Sequence, residues 1–257
     1  MIFDVGERSV LITGATGALG EAAARALVER GARVTLAAGS ADALEQLGAD
    51  LRTQGGEVEL VNRRPDEEAD TEAMVTAAVA AHGRIDAVLT AAGINKVHMI
   101  DEFPPDEWEA VMDANVRGTW LTCKSAGRRM IEQGDGGRVV TVSSTRGKLG
   151  LGTGYSAYCP SKSAVDGITR ALACEWGKHR ITVNALGPTV FRSALTAWMF
   201  EDEGPGKNVR EGMLARIPLG RLGEPDDLIG PLVFLMSDAS EFVTGQVLYV
   251  DGGYTAG

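Results

Sequence analysis

Short apolar runs rich in β-branched residues alternate with longer amphipathic stretches along the chain. The apolar runs predict buried strands, because a strand covered on both faces is hydrophobic at almost every position. The amphipathic stretches predict helices, because their apolar residues recur every three or four positions. Strands are therefore predicted at residues 9–13, 33–37, 58–61, 85–89, 138–142, 181–185 and 247–250, and helices at 21–30, 41–54, 68–82, 105–132, 157–178 and 225–236.

This alternation, with its short links, predicts an α/β fold: a doubly wound (Rossmann) parallel sheet with helices on both faces. The rhythm does not change between residues 1 and 257, so a single domain is expected. Residues 189–217 are the exception, because they combine glycine, proline and charged residues without clear periodicity. A segment of that kind predicts a substrate lid or loop within the domain.

Composition and charge narrow the class of protein. The 257 residues carry 25 Lys and Arg against 35 Asp and Glu, which gives a formal net charge of −10. An acidic chain is repelled by phosphate backbones and by anionic membranes, so neither nucleic acid nor a membrane is an expected partner. The three cysteines show no paired spacing, and the sequence contains no recognisable signal peptide, membrane span or metal-binding motif. These observations predict a cytoplasmic protein in a reducing compartment, without a metal site.

A glycine-rich turn follows the first predicted strand and precedes the first helix. Gly14, Gly17 and Gly20 leave room for a tight turn and for a pyrophosphate close to the backbone at a helix N-terminus. Thr16 and Leu19 lie in the same turn and are expected to contact the same group. A turn of this kind can also serve only to pack a helix on a strand. Its position between strand and helix favours dinucleotide binding over that alternative.

Tyr158 and Lys162 are four residues apart on a predicted helix, and a strand that leads into Ser143 and Ser144 precedes them. Positions i and i+4 share one helix face, so the hydroxyl and the ammonium can occupy one site. A nearby cation favours ionisation of a tyrosine, which makes the tyrosine a usable base. A tyrosine and a lysine at this spacing also occur by chance. The pair becomes informative in combination with the glycine-rich turn.

The chain as a whole resembles the short-chain dehydrogenase/reductase family, in its shorter single-domain branch. The motifs that carry the resemblance occur in the family's order along the sequence. They are the glycine-rich turn at 13–20, Ala91-Ala92-Gly93, Asn115, Val-Ser-Ser at 142–144, Tyr158 with Lys162, Asn184-Ala185 followed by Pro188, and Val-Asp-Gly-Gly at 250–253.

The resemblance implies that residues 1–257 form one NAD(P)-binding Rossmann domain that interconverts a secondary alcohol and a ketone by hydride transfer. Tyr158 would be the general acid/base, Lys162 would lower its pKa and bind the nicotinamide ribose, and Ser144 would orient the substrate oxygen. Asn115 would kink its helix and hold a water that links Lys162 to solvent. The implied cofactor contacts are Gly14, Thr16, Gly17, Leu19, Gly20, Ala92, Gly93, Tyr158, Lys162, Pro188, Phe191 and Ser193.

Departures from the family pattern keep alternatives open. The middle glycine, Gly17, gives a spacing that is commoner in the longer sugar-nucleotide branch, so an epimerase or dehydratase is one alternative. A non-catalytic dinucleotide-binding regulator is another. The gap from Ser144 to Tyr158 is one residue longer than usual, so Ser143 or Thr145 could take the place of Ser144.

The end of the second predicted strand bears on the choice of cofactor. An Asp or Glu there normally accepts the ribose hydroxyls and repels a 2′-phosphate, but residues 37–40 contain no acid. Ser40 can donate to a phosphate, and Arg64 could bind it in a bidentate contact. NADP is therefore favoured over NAD. The alternative is that Arg63 and Arg64 are solvated and that the protein accepts either cofactor.

The substrate, a small-molecule alcohol or ketone, is not identified by the sequence. The candidates for contacting it are His98, Arg146, Tyr155 and Trp198, although solvent exposure or packing explains each of them equally well. The resemblance also implies a homotetramer. Apolar residues on more than one face of two predicted helices favour the same conclusion. They are Val111, Trp120, Leu121, Val165, Ile168 and Leu172.

Overall fold

The computed structural model describes residues 1–193, 196–201 and 203–257. Seven strands are present in these ranges: β1 (Ser9–Thr13), β2 (Arg33–Ala37), β3 (Val58–Val61), β4 (Ala87–Thr90), β5 (Gly137–Val142), β6 (Ile181–Pro188) and β7 (Val247–Val250). They form one parallel sheet in the order β3-β2-β1-β4-β5-β6-β7. The strand order therefore reverses between β1 and β4, as in doubly wound folds.

Helices surround this sheet, which confirms the predicted fold class. The described residues form α1 (Ala18–Glu29), α2 (Ala41–Thr53), α3 (Glu68–His82), α4 (Pro105–Met112), α5 (Gly118–Gln133), α6 (Tyr158–Trp176), α7 (Pro205–Leu214) and α8 (Ile229–Met236). None of these helices is long and apolar enough to cross a membrane.

The helix predicted at 105–132 differs most from its prediction. It is divided into α4, a π-helical stretch at Asp113–Arg117, and α5. The helix predicted at 225–236 likewise begins as a 3-10 turn, Pro225–Leu228, before α8. Hydrophobic spacing does not distinguish these variants from an α-helix, because their repeats differ by less than one residue per turn.

The sheet has one hydrophobic core on each face. Val10 and Ile12 of β1 belong to the core beneath α1, α2 and α8, while Leu11 belongs to the core beneath α3, α5 and α6. This division follows from the alternation of side chains along a strand. All five residues of β1 are buried, so the central strand is held from both faces. The position of the turn that leaves its carboxyl end is therefore well defined.

Residues 189–217 contain more regular structure than their sequence pattern predicts. A 3-10 turn at Ala197–Phe200 and helix α7 lie within them, and residues 194, 195 and 202 of this segment lie outside the described part of the chain. α7 has only ten residues, two of which are glycines, so the sequence offers a short and weak helical signal there. Beyond α7, Ile217 packs with Leu222 and Tyr254 in a small third core, which joins this segment to the C-terminal turn.

The chain itself covers most of the apolar residues that were expected to need a partner subunit. Val111, Leu121, Val165 and Leu172 are buried, and Ile168 is partly buried. α5 also packs on α3, and α4 also packs on α6, so these helices are covered on more than their sheet-facing side. Hydrophobic spacing alone does not reveal these helix–helix contacts. Of the six residues, only Trp120 remains well exposed, at 46%.

The glycine at 127 in α5 provides a test of this packing. A Cβ atom there would lie 2.6 Å from Cζ2 of Trp176, so Gly127→Ala is expected to lower the free energy of unfolding by about 1–3 kcal/mol. Gly177→Ala is the matched control, because Gly177 has helical angles (φ −54°, ψ −38°) and no neighbour within 4 Å of its Cβ position. It should stabilise by about 0.4–1 kcal/mol. Urea unfolding of both variants is the measurement, and an unchanged Gly127→Ala midpoint would contradict the packing described.

Candidate active site

The carboxyl ends of β1, β4, β5 and β6 meet at one edge of the sheet, where the strand order reverses. Loops in this place form the ligand crevice of doubly wound folds. At these strand ends, the buried hydroxyl oxygens of Thr13, Thr90 and Thr189 have no hydrogen-bond partner within the described ranges. Buried polar groups are usually paired, so a polar ligand bound here would meet groups that lack partners. No motif in the sequence marks any of these threonines as a ligand contact.

The glycine-rich turn leaves β1 with no side chain between it and the neighbouring loop. Gly14 has φ +68°, and a Cβ atom there would lie 2.5 Å from the backbone nitrogen of Ala92. A Cβ atom at Gly20 would overlap the carbonyl oxygen of Gly14. Gly17 is the N-cap of α1 and offers no capping side chain, so the first N–H groups of α1 remain available. This turn fits the pyrophosphate of a dinucleotide, whose charge favours such a helix start.

A second corner of the crevice lies at the end of β2. Gly39 follows this strand, and a Cβ atom at Gly39 would lie 2.9 Å from Cγ of Arg64. The Arg64 side chain therefore covers Gly39, whereas Arg63 is turned to Asp70 in an ion pair of 2.7 Å. Ser40 is the N-cap of α2, and its hydroxyl makes no capping hydrogen bond. The corner thus combines a cation, a free hydroxyl and a helix N-terminus, which suits a phosphate group.

Tyr158 begins α6, and Lys162 lies one helical turn later. The Lys162 side chain is 5% exposed, and its Nζ lies 5.6 Å from the centre of the Tyr158 ring and donates to the carbonyl of Val142 at 2.8 Å. The Ser144 side chain lies close enough to Tyr158 to lower the pKa of its hydroxyl. Ser143 is instead directed at α6, since its Oγ lies 3.5 Å from the carbonyl oxygen of Lys162. Of these two serines, the structure therefore brings Ser144 and not Ser143 to the Tyr158 hydroxyl.

Burial moves the pKa values of the two α6 side chains in opposite directions. It raises the pKa of Tyr158 to about 12, an effect partly offset by the hydrogen bond from Ser144 and by the charge of Arg146. Burial lowers the pKa of Lys162 to about 8, against the opposing charge of Asp166. At neutral pH the tyrosine is therefore a neutral phenol and the lysine a cation. In this state Tyr158 is ready to donate a proton to a carbonyl oxygen.

Asn115 lies in the π-helical stretch and is fully buried. Its Nδ2 donates to the carbonyl of Ile94 at 2.9 Å and to Ser161 Oγ at 3.0 Å, and its Oδ1 accepts from the Ile94 N–H at 2.8 Å. A Cβ atom at Gly93 would lie 2.8 Å from Asn115 Oδ1 and 3.8 Å from Lys162 Nζ. Gly93 therefore lets the asparagine and the lysine approach each other. Asn115, which the family resemblance implies would kink its helix, lies in this π-helical stretch.

Comparison with known proteins identifies the family. A family model described as enoyl-(acyl carrier protein) reductase matches residues 14–255. An uncharacterised oxidoreductase of Mycobacterium tuberculosis is 56% identical over 256 residues, which cover 99% of this chain and 93% of that protein. A short-chain type dehydrogenase/reductase from Mycobacterium marinum has a similar structure, with a TM-score of 0.90, 32% identity and coverage of 100% of this chain and 98% of the other. This chain belongs to the short-chain dehydrogenase/reductase family.

A further short-chain dehydrogenase structure bears on the ligands of the crevice. The gluconate 5-dehydrogenase of Burkholderia cenocepacia, solved in complex with NADP and tartrate, has a TM-score of 0.93 and 30% identity, with coverage of 100% of this chain and 98% of the other. Together these relatives confirm the predicted oxidoreductase class and a nicotinamide cofactor. The glycine turn and the corner at Arg64 are consistent with such a group on geometric grounds alone.

The remaining predicted cofactor contacts follow the end of β6. Pro188 ends this strand, and its carbonyl oxygen lies 3.4 Å from Ser144 Oγ. Phe191 is buried and forms an isolated bridge with Gly223, and the Ser193 N–H donates to Thr196 Oγ1 at 2.9 Å. Thr189 departs from the glycine usual at this place in the short-chain dehydrogenase family, and it adds one of the unpaired buried hydroxyls.

Two of the four predicted substrate contacts lie together at the mouth of the site. His98 and Tyr155 form an isolated bridge, and the Tyr155 ring packs edge-on against Tyr158 with 6.3 Å between ring centres. His98 Nε2 lies 3.0 Å from a carboxylate oxygen of Glu107, a partner that the sequence analysis did not identify. Tyr155 therefore lies beside the candidate base, whereas the His98 ring faces Glu107 and Phe103.

The other two predicted contacts are placed differently. Arg146 is buried, and its guanidinium donates to the hydroxyl of Tyr254 at 3.0 Å. Trp198 is partly exposed in its 3-10 turn, where its carbonyl group approaches Gly206 of α7. Within the part of the chain that the structure describes, no cluster of three or more His, Cys, Asp or Glu side chains could hold a metal ion.

Proposed function

We propose that this short-chain dehydrogenase interconverts a secondary alcohol and a ketone, with Tyr158 as general acid/base and NADP as the preferred cofactor. The observation that carries the proposal is the contact of Tyr158 with Ser144 beside buried Lys162, at the strand ends that also hold the glycine-rich turn. A proton donor and a site for a nicotinamide group thus lie at one edge of the sheet.

Each residue has a distinct part in the proposed mechanism. The bound nicotinamide supplies or accepts the hydride. Ser144 donates a hydrogen bond to the substrate oxygen and orients it toward Tyr158. Tyr158 donates its proton to a ketone oxygen in reduction and takes the proton of an alcohol in oxidation. Lys162 places a positive charge beside the phenol, and Asn115 holds the backbone of Ile94 so that this part of the site keeps its shape.

The favoured substrates are small polyhydroxylated alcohols and sugar acids. This part of the proposal is supported by the similar gluconate 5-dehydrogenase, which was solved with NADP and tartrate. It is also supported by the polar groups at the mouth of the site, His98 and Tyr155, which can bind hydroxyls. Turnover of a panel of polyols, sugar acids and simple ketones separates this proposal from its two alternatives, a non-catalytic regulator and a sugar-nucleotide epimerase or dehydratase.

Replacing Tyr158 by phenylalanine tests the assignment of the base. Tyr158→Phe removes only the hydroxyl, so kcat should fall by about 10²–10⁴-fold while NADPH binding and thermal stability stay close to wild type. Tyr249→Phe is the matched control, because Tyr249 lies on β7 against Lys148 and should keep full activity. Steady-state kinetics with the best substrate of the panel is the measurement. A Tyr158→Phe enzyme with more than about a tenth of wild-type kcat would contradict the assignment.

The preference for NADP is proposed from the corner formed by Gly39, Ser40 and Arg64. No acid stands at the end of β2, and Asp42 is exposed on α2. Arg64 makes no ion pair with any residue of the described ranges, so its guanidinium is available to a 2′-phosphate. Arg64→Ala should therefore reduce kcat/KM for NADP⁺ by about tenfold or more and leave kcat/KM for NAD⁺ nearly unchanged.

Arg63→Ala is the control for this substitution, because Arg63 is already paired with Asp70. It should change neither value by more than about twofold, which is the effect of a surface ion pair. A wild-type preference for NAD⁺ would overturn the cofactor proposal. A preference for NADP⁺ that survives Arg64→Ala would show that Arg64 is not its cause.

We also propose that the protein is a cytoplasmic homotetramer. The family resemblance implies this assembly, and the exposed rings of Trp108 on α4 and Trp120 on α5 are apolar surface that a second copy could cover. The three cysteines are unpaired, as expected in a reducing compartment. Light scattering at micromolar concentration should give four times the chain mass, and Trp120→Glu should lower it. A monomeric wild type would contradict the proposed assembly.

A further inference from the structure

Arg146 is a buried cation for which the described chain provides no carboxylate partner. It is 7% exposed, and its guanidinium donates to the hydroxyl of Tyr254 at 3.0 Å and to the carbonyl of Gly150 at 3.4 Å. Arg138, which is equally buried at 8%, has Asp238 within 3.3 Å. Buried arginines are usually paired in this way, because an uncompensated buried charge is costly. The Arg146 charge therefore needs another explanation.

The guanidinium of Arg146 is fixed in place by the C-terminal turn. Tyr254 is 1% exposed, and two arginines lie near its ring, with Arg146 at 5.4 Å and Arg216 at 4.4 Å from its centre. Asp251 holds the turn by accepting the N–H groups of Gly253 and Thr255, both at 2.9 Å. A charge held at a defined position acts on its neighbours without the averaging that affects a mobile surface side chain.

The same residue also contacts the candidate catalytic groups through its backbone. The Arg146 N–H donates to Ser144 Oγ at 3.1 Å, as a cap of the 3-10 turn Thr145–Gly147. Ser144 Oγ therefore accepts from the backbone on one side and donates its own proton to the Pro188 carbonyl at 3.4 Å, a long hydrogen bond. Arg146 thus orients Ser144 with its amide, while its side chain carries a charge that favours the ionised form of Tyr158.

We propose that Arg146, held by Tyr254, is a positioning residue: a second fixed positive charge that acts on Tyr158 together with Lys162 and sets the pH range of alcohol oxidation. This inference rests on the proposed function, since it assumes that the ionised form of Tyr158 accepts the proton of the alcohol. It differs from the substrate-binding role predicted for Arg146 from the sequence, because the guanidinium is engaged with Tyr254.

The charges around Tyr158 explain why Lys162 alone does not favour the ionised form of Tyr158 throughout the alkaline range. Burial raises the pKa of Tyr158, and the ionised forms of Tyr155 and Cys159 would raise it further, whereas Ser144 and Arg146 lower it. Lys162, on α6, faces the ring, but burial lowers its own pKa to about 8 against the charge of Asp166. Lys162 therefore loses its charge in the alkaline range where Tyr158 must ionise. Arginine stays protonated there, so Arg146 is the cation that persists.

The test compares the pH profiles of kcat/KM for alcohol oxidation in wild type, Arg146→Met and Arg146→Lys, with the panel alcohol that wild type oxidises fastest. Without the charge, the Tyr158 pKa rises and the rising limb should move to higher pH by at least about half a unit, a loss of about threefold at a fixed pH on that limb. Arg146→Lys restores a positive charge and should move the rising limb most of the way back to its wild-type pH. Arg216→Met, which removes the second cation near the Tyr254 ring, is the matched control and should keep the wild-type profile.

A second measurement does not depend on catalysis. Arg146 also lowers the pKa of the Cys159 thiol, so Arg146→Met should move the alkylation of Cys159 by iodoacetamide to higher pH. Alkylation of exposed Cys174, followed on its own peptide by mass spectrometry, is the internal reference. If Arg146→Met does not fold, Tyr254→Phe replaces it, because this variant keeps the ring but frees the guanidinium, and a smaller shift in the same direction is expected.

The outcomes separate this inference from the proposed function. A folded Arg146→Met enzyme with the wild-type pH profile overturns the inference, whether or not the alkylation of Cys159 changes. If Arg146→Met does not fold, a Tyr254→Phe enzyme with the wild-type pH profile overturns it. A profile shifted in Arg146→Met and restored in Arg146→Lys supports it. An active Tyr158→Phe enzyme overturns the proposed function instead, and the Cys159 measurement still reports whether the Arg146 charge reaches the start of α6.

Discussion

The backbones that follow β1 and β4 approach so closely that no side chain fits between them. Gly14 adopts φ +68° against Ala92, and Gly93 brings Asn115 and Lys162 together on the next residue of the same loop. These contacts connect the dinucleotide turn to the groups around Tyr158 across a single loop. A side chain at Gly14 would force this loop away and separate the two halves of the site. The site therefore depends on backbone contact at the point where the strand order reverses.

Burial then determines what the assembled groups can do. It raises the pKa of Tyr158 and lowers that of Lys162, so each group is pushed toward its neutral form. A neutral phenol is suited to reduction, whereas oxidation requires charges that favour the phenolate. Arginine is the one side chain that keeps its charge under such burial. Arg146 is one way to provide that charge at the same strand end, because its N–H donates to Ser144 and its guanidinium is anchored on Tyr254.

The sequence predicted the elements that local spacing determines and missed those that depend on contacts distant in the chain. β1, β2, β3, β7 and α3 have their predicted bounds, because short runs between glycines and polar residues leave little choice of boundary. α7 was missed because it is short and contains two glycines, and hydrophobic spacing does not reveal the π-helical turn, although the family resemblance implied a kink at Asn115. The choice of Ser144 over Ser143 needed the direction of each hydroxyl. The contact of Arg146 with Tyr254 joins residues 108 positions apart, and nothing in the spacing of either one indicates it.

The net charge of the chain likewise does not predict the local charges around the site. The chain carries −10 overall, which disfavours polyanionic partners, yet cations lie at the strand ends: Arg64 covers Gly39, and Lys162 lies beside Tyr158. These cations act over a few ångströms, where the surface carboxylates are screened by solvent within about 8–10 Å. An anionic dinucleotide therefore responds to the local charges and not to the total. The net charge of −10 disfavours nonspecific polyanions, whereas Arg64 at the end of β2 remains available to a ligand in the crevice.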